Sequence, residues 1–60
     1  MTIGSVIFAE TKDFETAYKM ANEQKSVVEV KSNGTTFFTF SDGSKLRFDD
    51  SDTCYGWTLL

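Results

Sequence analysis

Apolar and polar residues alternate along the second half of the chain, and turn residues interrupt the alternation twice. Asn33-Gly34 and Asp42-Gly43 each stand between two alternating segments. Such dipeptides favour type I′ turns, which join antiparallel strands through two-residue loops. The pattern therefore predicts three antiparallel strands connected by two tight turns, at 27–31, 36–40 and 45–48.

The first half of the chain predicts one strand and one helix. The short apolar run at 6–9 contains the β-branched and aromatic residues that are typical of a strand. Thr11 or Asp13 is expected to cap a helix predicted over 12–24. Its apolar side chains recur with the spacing of one helix face, at Phe14, Ala17, Tyr18 and Ala21.

These elements together predict an α+β fold. A polar turn at 49–52 leads into a short last strand at 54–59. We expect one helix packed on a mainly antiparallel sheet, in the order β-α-β-β-β with that short C-terminal strand. A chain of 60 residues supports one core, so we predict a single domain over 1–60.

Counting back from two two-residue turns predicts which side chains share a face of the sheet. In this register Val30 lies opposite Phe37, and Phe37 lies opposite Phe48. The helix is expected to cover the face that carries Val28, Val30, Phe37, Thr39, Leu46 and Phe48. The opposite face is expected to carry Val27, Glu29, Lys31, Thr36, Phe38, Phe40, Lys45 and Arg47.

Large apolar side chains on that opposite face are unusual, because a sheet face in water is normally polar. Val27, Phe38 and Phe40 would form an apolar patch rimmed by basic side chains. Three explanations stay open at this point. The C-terminal segment 55–59 covers the patch, a protein partner or a second copy binds it, or single-stranded nucleic acid stacks on it.

Further candidate residues lie near this patch and in the polar turn. Trp57 is a binding residue if it is exposed and a core anchor if it is buried. Neighbouring carboxylates in the polar turn are expected to steer association with a basic partner surface. The predicted partner-binding residues are Val27, Phe38, Phe40, Arg47, Trp57, Asp49, Asp50 and Asp52.

The charge and the hydropathy of the chain limit its partners. The net charge is -3, from nine acidic and six basic residues, which disfavours binding to phosphate backbones. No apolar stretch is long enough to span a membrane, and the first ten residues lack the pattern of a secretory signal. We therefore expect a cytoplasmic protein with no membrane partner, in the host cytoplasm if the chain is viral.

The residues that usually carry chemistry are absent or wrongly spaced. The chain has one cysteine and no histidine, so a thiol-imidazole pair is excluded and Cys54 is expected to pack in the fold. The carboxylates after Phe48 lack the ligand spacing of a calcium loop, and no Gly-rich phosphate loop occurs. We predict no catalytic residues, no metal site and no cofactor.

A small chain without a catalytic set is expected to work by presenting a surface. The sequence thus predicts a noncatalytic protein-binding module, such as a phage-encoded inhibitor or regulator of a larger protein. Two alternatives stay open. One is a protein that binds single-stranded nucleic acid through Phe38, Phe40 and Arg47, and the other is an acidic mimic of nucleic acid.

Overall fold

The computed structural model describes all 60 residues and shows an α+β fold with two helices and four strands. Helix α1 spans Ile3–Glu10 and helix α2 spans Phe14–Asn22. The strands form one antiparallel sheet in the order β1-β2-β3-β4. Their bounds are β1 Val28–Ser32, β2 Thr35–Thr39, β3 Lys45–Asp50 and β4 Tyr55–Leu59.

Helix α1 occupies the segment that was expected to be the first strand, so the predicted order β-α-β-β-β is wrong. The observed order is α-α-β-β-β-β. Thr2 and Ser5 form a capping box at the start of α1, in which each side chain accepts a hydrogen bond from the backbone N–H of the other residue. Ile7, in the middle of α1, is fully buried in the core.

The loop between β2 and β3 completes the cap of α1. The Ile3 N–H donates to Asp42 Oδ2 at 2.7 Å, and the Gly4 N–H donates to Ser44 Oγ at 3.0 Å. Free N–H groups in the first turn of a helix need such acceptors. These acceptors are 39 and 40 residues away in sequence from the N–H groups that they bind. A local pattern cannot include them, which explains why it favoured a strand.

Helix α2 agrees with its predicted face and cap. Asp13 is the N-cap, and its carboxylate accepts a hydrogen bond from the Thr16 N–H at 3.1 Å. Ala17 and Ala21 are fully buried. The helix is shorter than the predicted range 12–24, but its apolar stripe packs on the sheet as expected.

The first hairpin has the predicted turn. Asn33 and Gly34 both have positive φ, at 48° and 81°, as a type I′ turn requires. The two-residue loop places Val30 opposite Phe37 and Val28 opposite Thr39, as the register predicted.

The second hairpin has a longer turn than predicted. The Gly43 N–H donates to the Phe40 carbonyl oxygen at 3.0 Å, and the Phe40 N–H donates to the Ser44 carbonyl oxygen at 2.9 Å. The loop between Phe40 and Ser44 therefore has three residues, and of these only Gly43 has positive φ, at 88°. Phe38, not Thr39, lies opposite Leu46.

This shift of one residue exchanges the two faces of β1 and β2, because successive side chains of a strand point to opposite sides. The face against the helices, which we call the core face, carries Thr36, Phe38, Phe40, Leu46 and Phe48. The other face, which we call the open face, carries Val28, Val30, Phe37 and Thr39 from β1 and β2. The predicted faces were wrong for β1 and β2 and right for β3.

The C-terminal segment forms the expected last strand, paired with β3. Trp57 and Leu59 of β4 pack against the core. Cys54 lies before this strand and is exposed, so the prediction that it packs in the fold is wrong. Neither helix is long and apolar enough to cross a membrane.

Candidate functional site

The open face is the side of the sheet that neither helix covers. Val28 and Val30 expose 57% and 54% of their area, although both are fully apolar side chains. Phe37 lies opposite Val30 on the neighbouring strand and is half-buried. The three residues form a contiguous apolar strip along β1 and β2, which we call the valine strip.

Charged side chains border the valine strip on β3. The Arg47 guanidinium lies over the Phe37 ring, 5.9 Å from the ring centroid, which is the geometry of a cation–π contact. Arg47 Nε also donates to Asp49 Oδ1 at 3.2 Å, and the Thr35 hydroxyl donates to the same oxygen at 2.8 Å. Asp49 is therefore held by two neighbours on the open face and is not a free carboxylate.

Strand β1 forms one free edge of the sheet and carries an ion pair on its core-face side. Lys31 Nζ lies 3.2 Å from Glu29 Oε2, and the Tyr18 hydroxyl donates a long hydrogen bond of 3.4 Å to the same oxygen. The hydrogen bond to Glu29 raises the pKa of Lys31 above its ordinary value. All five residues of β1 are exposed.

A groove of about 800 Å³ runs between α2 and the tip of the β1-β2 hairpin. Phe48 and Thr36 lie in it on the sheet side, and Lys19 and Tyr18 line it on the helix side. At one end the ring of Tyr55 stacks on Phe14, with 4.6 Å between centroids. The groove begins beyond the contact between Tyr18 and Glu29, and it leaves the Lys31 side chain exposed at the hairpin end of β1.

Two residues of the predicted binding patch lie inside the protein. Phe38 is fully buried and Phe40 is 3% exposed, so their predicted position on an uncovered face is wrong. Val27 is partly buried and packs against the same core. The helices cover these side chains because the three-residue loop turns them toward the core face.

Trp57 is partly buried and packs as a core anchor. Its ring stacks on Phe48 and meets Phe14 edge-on, with centroids 6.5 and 6.2 Å apart. Its indole N–H is buried without a hydrogen-bond partner. This packing supports the role of core anchor for Trp57 over that of an exposed binding residue.

The three predicted acidic residues do not form one cluster. Asp49 lies on the open face with Arg47, whereas Asp50 is the next residue along β3 and lines the groove on the other side. Asp52 is exposed in the turn before β4. Of the eight predicted partner-binding residues, Arg47 and Asp49 are therefore the two that the structure brings together on the open face. Whether any of the eight binds a partner stays a prediction.

The sequence pattern does not predict the valine strip as an exposed surface. It correctly groups Val28, Val30 and Phe37 on one face, but it predicts that the helix covers this face. A second interpretation of the Asp42-Gly43 turn, as a three-residue loop with Gly in the left-handed conformation, would have found it.

No three or more His, Cys, Asp or Glu side chains lie close enough together to hold a metal ion. Comparisons with protein-family models, with curated proteins and with solved structures find no significant match. The surface chemistry of the open face is therefore the observation from which a function is inferred.

Proposed function

We propose that this chain is a noncatalytic module that binds a protein partner on the open face of its sheet. The observation that supports this most directly is the exposure of Val28 and Val30, at 57% and 54%, on a face without helical cover. Apolar side chains grouped on a surface and bordered by polar ones are typical of protein interfaces.

The composition of the open face indicates the chemistry of its partner. Phe37 offers an aromatic ring in contact with the Arg47 guanidinium, and aromatic and Arg side chains are among the types that most often dominate binding energy. Lys45, exposed on β3, has no ion-pair partner within the chain. The matching surface would place apolar side chains over the valine strip and a carboxylate beside Lys45.

The size of the open face limits the strength of this contact. Four strands spaced about 4.8 Å apart, with about 3.3 Å per residue, cover a flat area of roughly 300 Å². Stable interfaces bury about 800 Å² on each partner. One copy therefore supports a weak contact or supplies part of a larger interface.

The two nucleic-acid alternatives draw less support from these positions. The stacking alternative relied on Phe38 and Phe40, which are buried, and Phe37 is the one aromatic ring left on the open face. The acidic-mimic alternative needs more negative charge than the net -3 of this chain, and Asp49 and Asp50 face opposite sides of the sheet. A protein partner makes use of the valine strip, whereas nucleic acid does not.

The cellular setting is part of the proposal. An exposed, unpaired Cys54 suits a reducing compartment, which supports a cytoplasmic setting. A surface-presenting module of this size would act as an inhibitor or regulator by occupying a surface of its larger partner.

The test compares the half-buried Phe37 with the exposed Phe8 in affinity capture from the cells that make the chain. Phe37→Ser alters the open face, and Phe8→Ser alters an exposed ring on α1. If the partner docks on the open face, Phe37→Ser lowers recovery of the captured protein at least about tenfold, because central aromatic residues contribute about 2 kcal/mol or more. Phe8→Ser leaves recovery unchanged.

Circular dichroism of both variants ensures that only folded proteins are compared. Equal recovery by wild type and folded Phe37→Ser contradicts binding on the open face. Loss of recovery with Phe8→Ser alone would move the binding surface to α1.

A further inference from the structure

The two edges of the sheet differ in how well they could accept another strand. Strand β4 contains Gly56 at φ 146°, and its Leu59 lies beside Gly4 of α1. Strand β1 pairs with β2 in continuous register along its whole length, and all five of its residues are exposed. A regular, uncovered edge is the kind of strand that pairs with another chain.

The first hairpin determines which backbone groups of β1 point away from the sheet. In a two-residue hairpin the residues next to the turn form a hydrogen-bonded pair, and such pairs then recur at every second position. Ser32, Val30 and Val28 therefore use their N–H and C=O groups toward β2. The N–H and C=O groups of Glu29 and Lys31 point outward and are free to pair.

These outward groups allow three antiparallel pairings of β1 with a second β1. Two of them place identical charges directly opposite each other, Glu29 against Glu29 or Lys31 against Lys31. The third, centred on Val30, places Glu29 of each copy opposite Lys31 of the other. Opposite charges across a strand pair stabilise it and like charges destabilise it, so this register is favoured over its neighbours.

We propose that two copies of the chain pair through β1 in this register, as a symmetric dimer with an eight-stranded antiparallel sheet. Within one chain, Glu29 Oε2 lies 3.2 Å from Lys31 Nζ. In the dimer each Glu29 gives up this contact and pairs with Lys31 of the other copy. The two Val30 side chains meet at the twofold axis, where both lose exposed apolar area.

The dimer also doubles the open face. The twofold axis is perpendicular to the sheet, so the two valine strips lie side by side on the same surface. Roughly 600 Å² then becomes available, closer to what a stable interface needs. This consequence rests on the proposed function, whereas the pairing of β1 does not.

Sedimentation velocity over a range of concentrations tests the pairing with the full chain. Wild type is expected to approach twice its mass of 6.8 kDa as concentration rises. E29K and K31E each place like charges across the dimer axis, and each should raise the dissociation constant about tenfold or more. An equimolar mixture of E29K and K31E restores opposite charges at both positions and should dimerise again, as should the double variant E29K/K31E.

Matched controls separate this effect from net charge. E10K and K12E make the same charge changes at exposed positions at and just after the end of α1, and both should dimerise like wild type. Circular dichroism confirms that each variant is folded. A wild-type chain that stays monomeric throughout, or a mixture no more associated than its separate components, overturns the proposal.

The two proposals fail separately. Phe37→Ser changes the open face but not the β1 edge, so it should reduce partner capture and leave the dimer intact. Dimerisation without any effect of Phe37→Ser on capture would contradict only the open-face function. A monomer that still loses capture with Phe37→Ser would contradict only the dimer.

Discussion

The Phe40 N–H donates to the Ser44 carbonyl oxygen at 2.9 Å, and this hydrogen bond closes the loop between β2 and β3. Because the loop holds three residues, Phe38 lies opposite Leu46 and both side chains are fully buried. Phe37 is left on the open face beneath Arg47. The position of one backbone pair thus determines which phenylalanines build the core and which are available to a partner.

The first prediction compares these adjacent rings. Phe38→Ala should lower the free energy of unfolding by about 3 to 5 kcal/mol, because it empties a fully buried site. Phe37→Ala should cost about 1 kcal/mol, since its ring is half-buried on the surface. Urea unfolding followed by circular dichroism measures both. Equal losses, or a larger loss for Phe37→Ala, would contradict the observed register.

The second prediction compares the two turn glycines. Gly34 and Gly43 both have positive φ, at 81° and 88°. Substitution by alanine should therefore lower the free energy of unfolding by about 1 kcal/mol at each position. A Cβ at Gly34 would also lie 3.2 Å from the Asp50 carbonyl oxygen, whereas a Cβ at Gly43 meets nothing within 4 Å. Thermal melting should therefore show a larger decrease in Tm for Gly34→Ala. The opposite order would mean that backbone crowding at the first turn is absent.

The third prediction concerns how low pH changes the contribution of Asp42 to stability. Hydrogen bonds from the Ser44 side chain and from the backbone N–H groups of Ile3 and Ser44 lower the pKa of the Asp42 carboxyl below its ordinary value of 3.8. A carboxylate with a lowered pKa stabilises the fold above its ordinary pKa, and that contribution disappears as pH falls through the lowered value. Acid should thus weaken the link between α1 and the β2-β3 loop.

Melting wild type and Asp42→Asn between pH 7 and pH 2 checks this prediction. The variant should melt at a lower temperature at pH 7, and the difference should shrink toward pH 2. Asp52→Asn is the control, because Asp52 is an exposed carboxylate in another turn. A constant difference over the whole pH range would show that Asp42 does not contribute through its charge.

Several elements follow from the sequence because their causes are local. The spacing of Phe14, Ala17, Tyr18 and Ala21 predicted the buried face of α2, and Asp13 caps it as expected. Asn33-Gly34 forms the predicted type I′ turn because both residues tolerate positive φ. In each case the deciding residues lie within one turn of the element that they specify.

The tertiary structure decided the remaining features because their causes lie far apart in the chain. Helix α1 depends on acceptors from Asp42 and Ser44, which local pattern cannot supply. The Asp42-Gly43 turn is compatible with a two-residue or a three-residue loop, and the alternative that buries Phe38 and Phe40 under the helices prevails. The sequence by itself therefore determined the α2 helix, the four strands of the sheet and the register of the first hairpin, but not the helix at 3–10. The packing of the helices on one face determined which residues are left for function, because a one-residue shift moves every side chain of a strand to the other side.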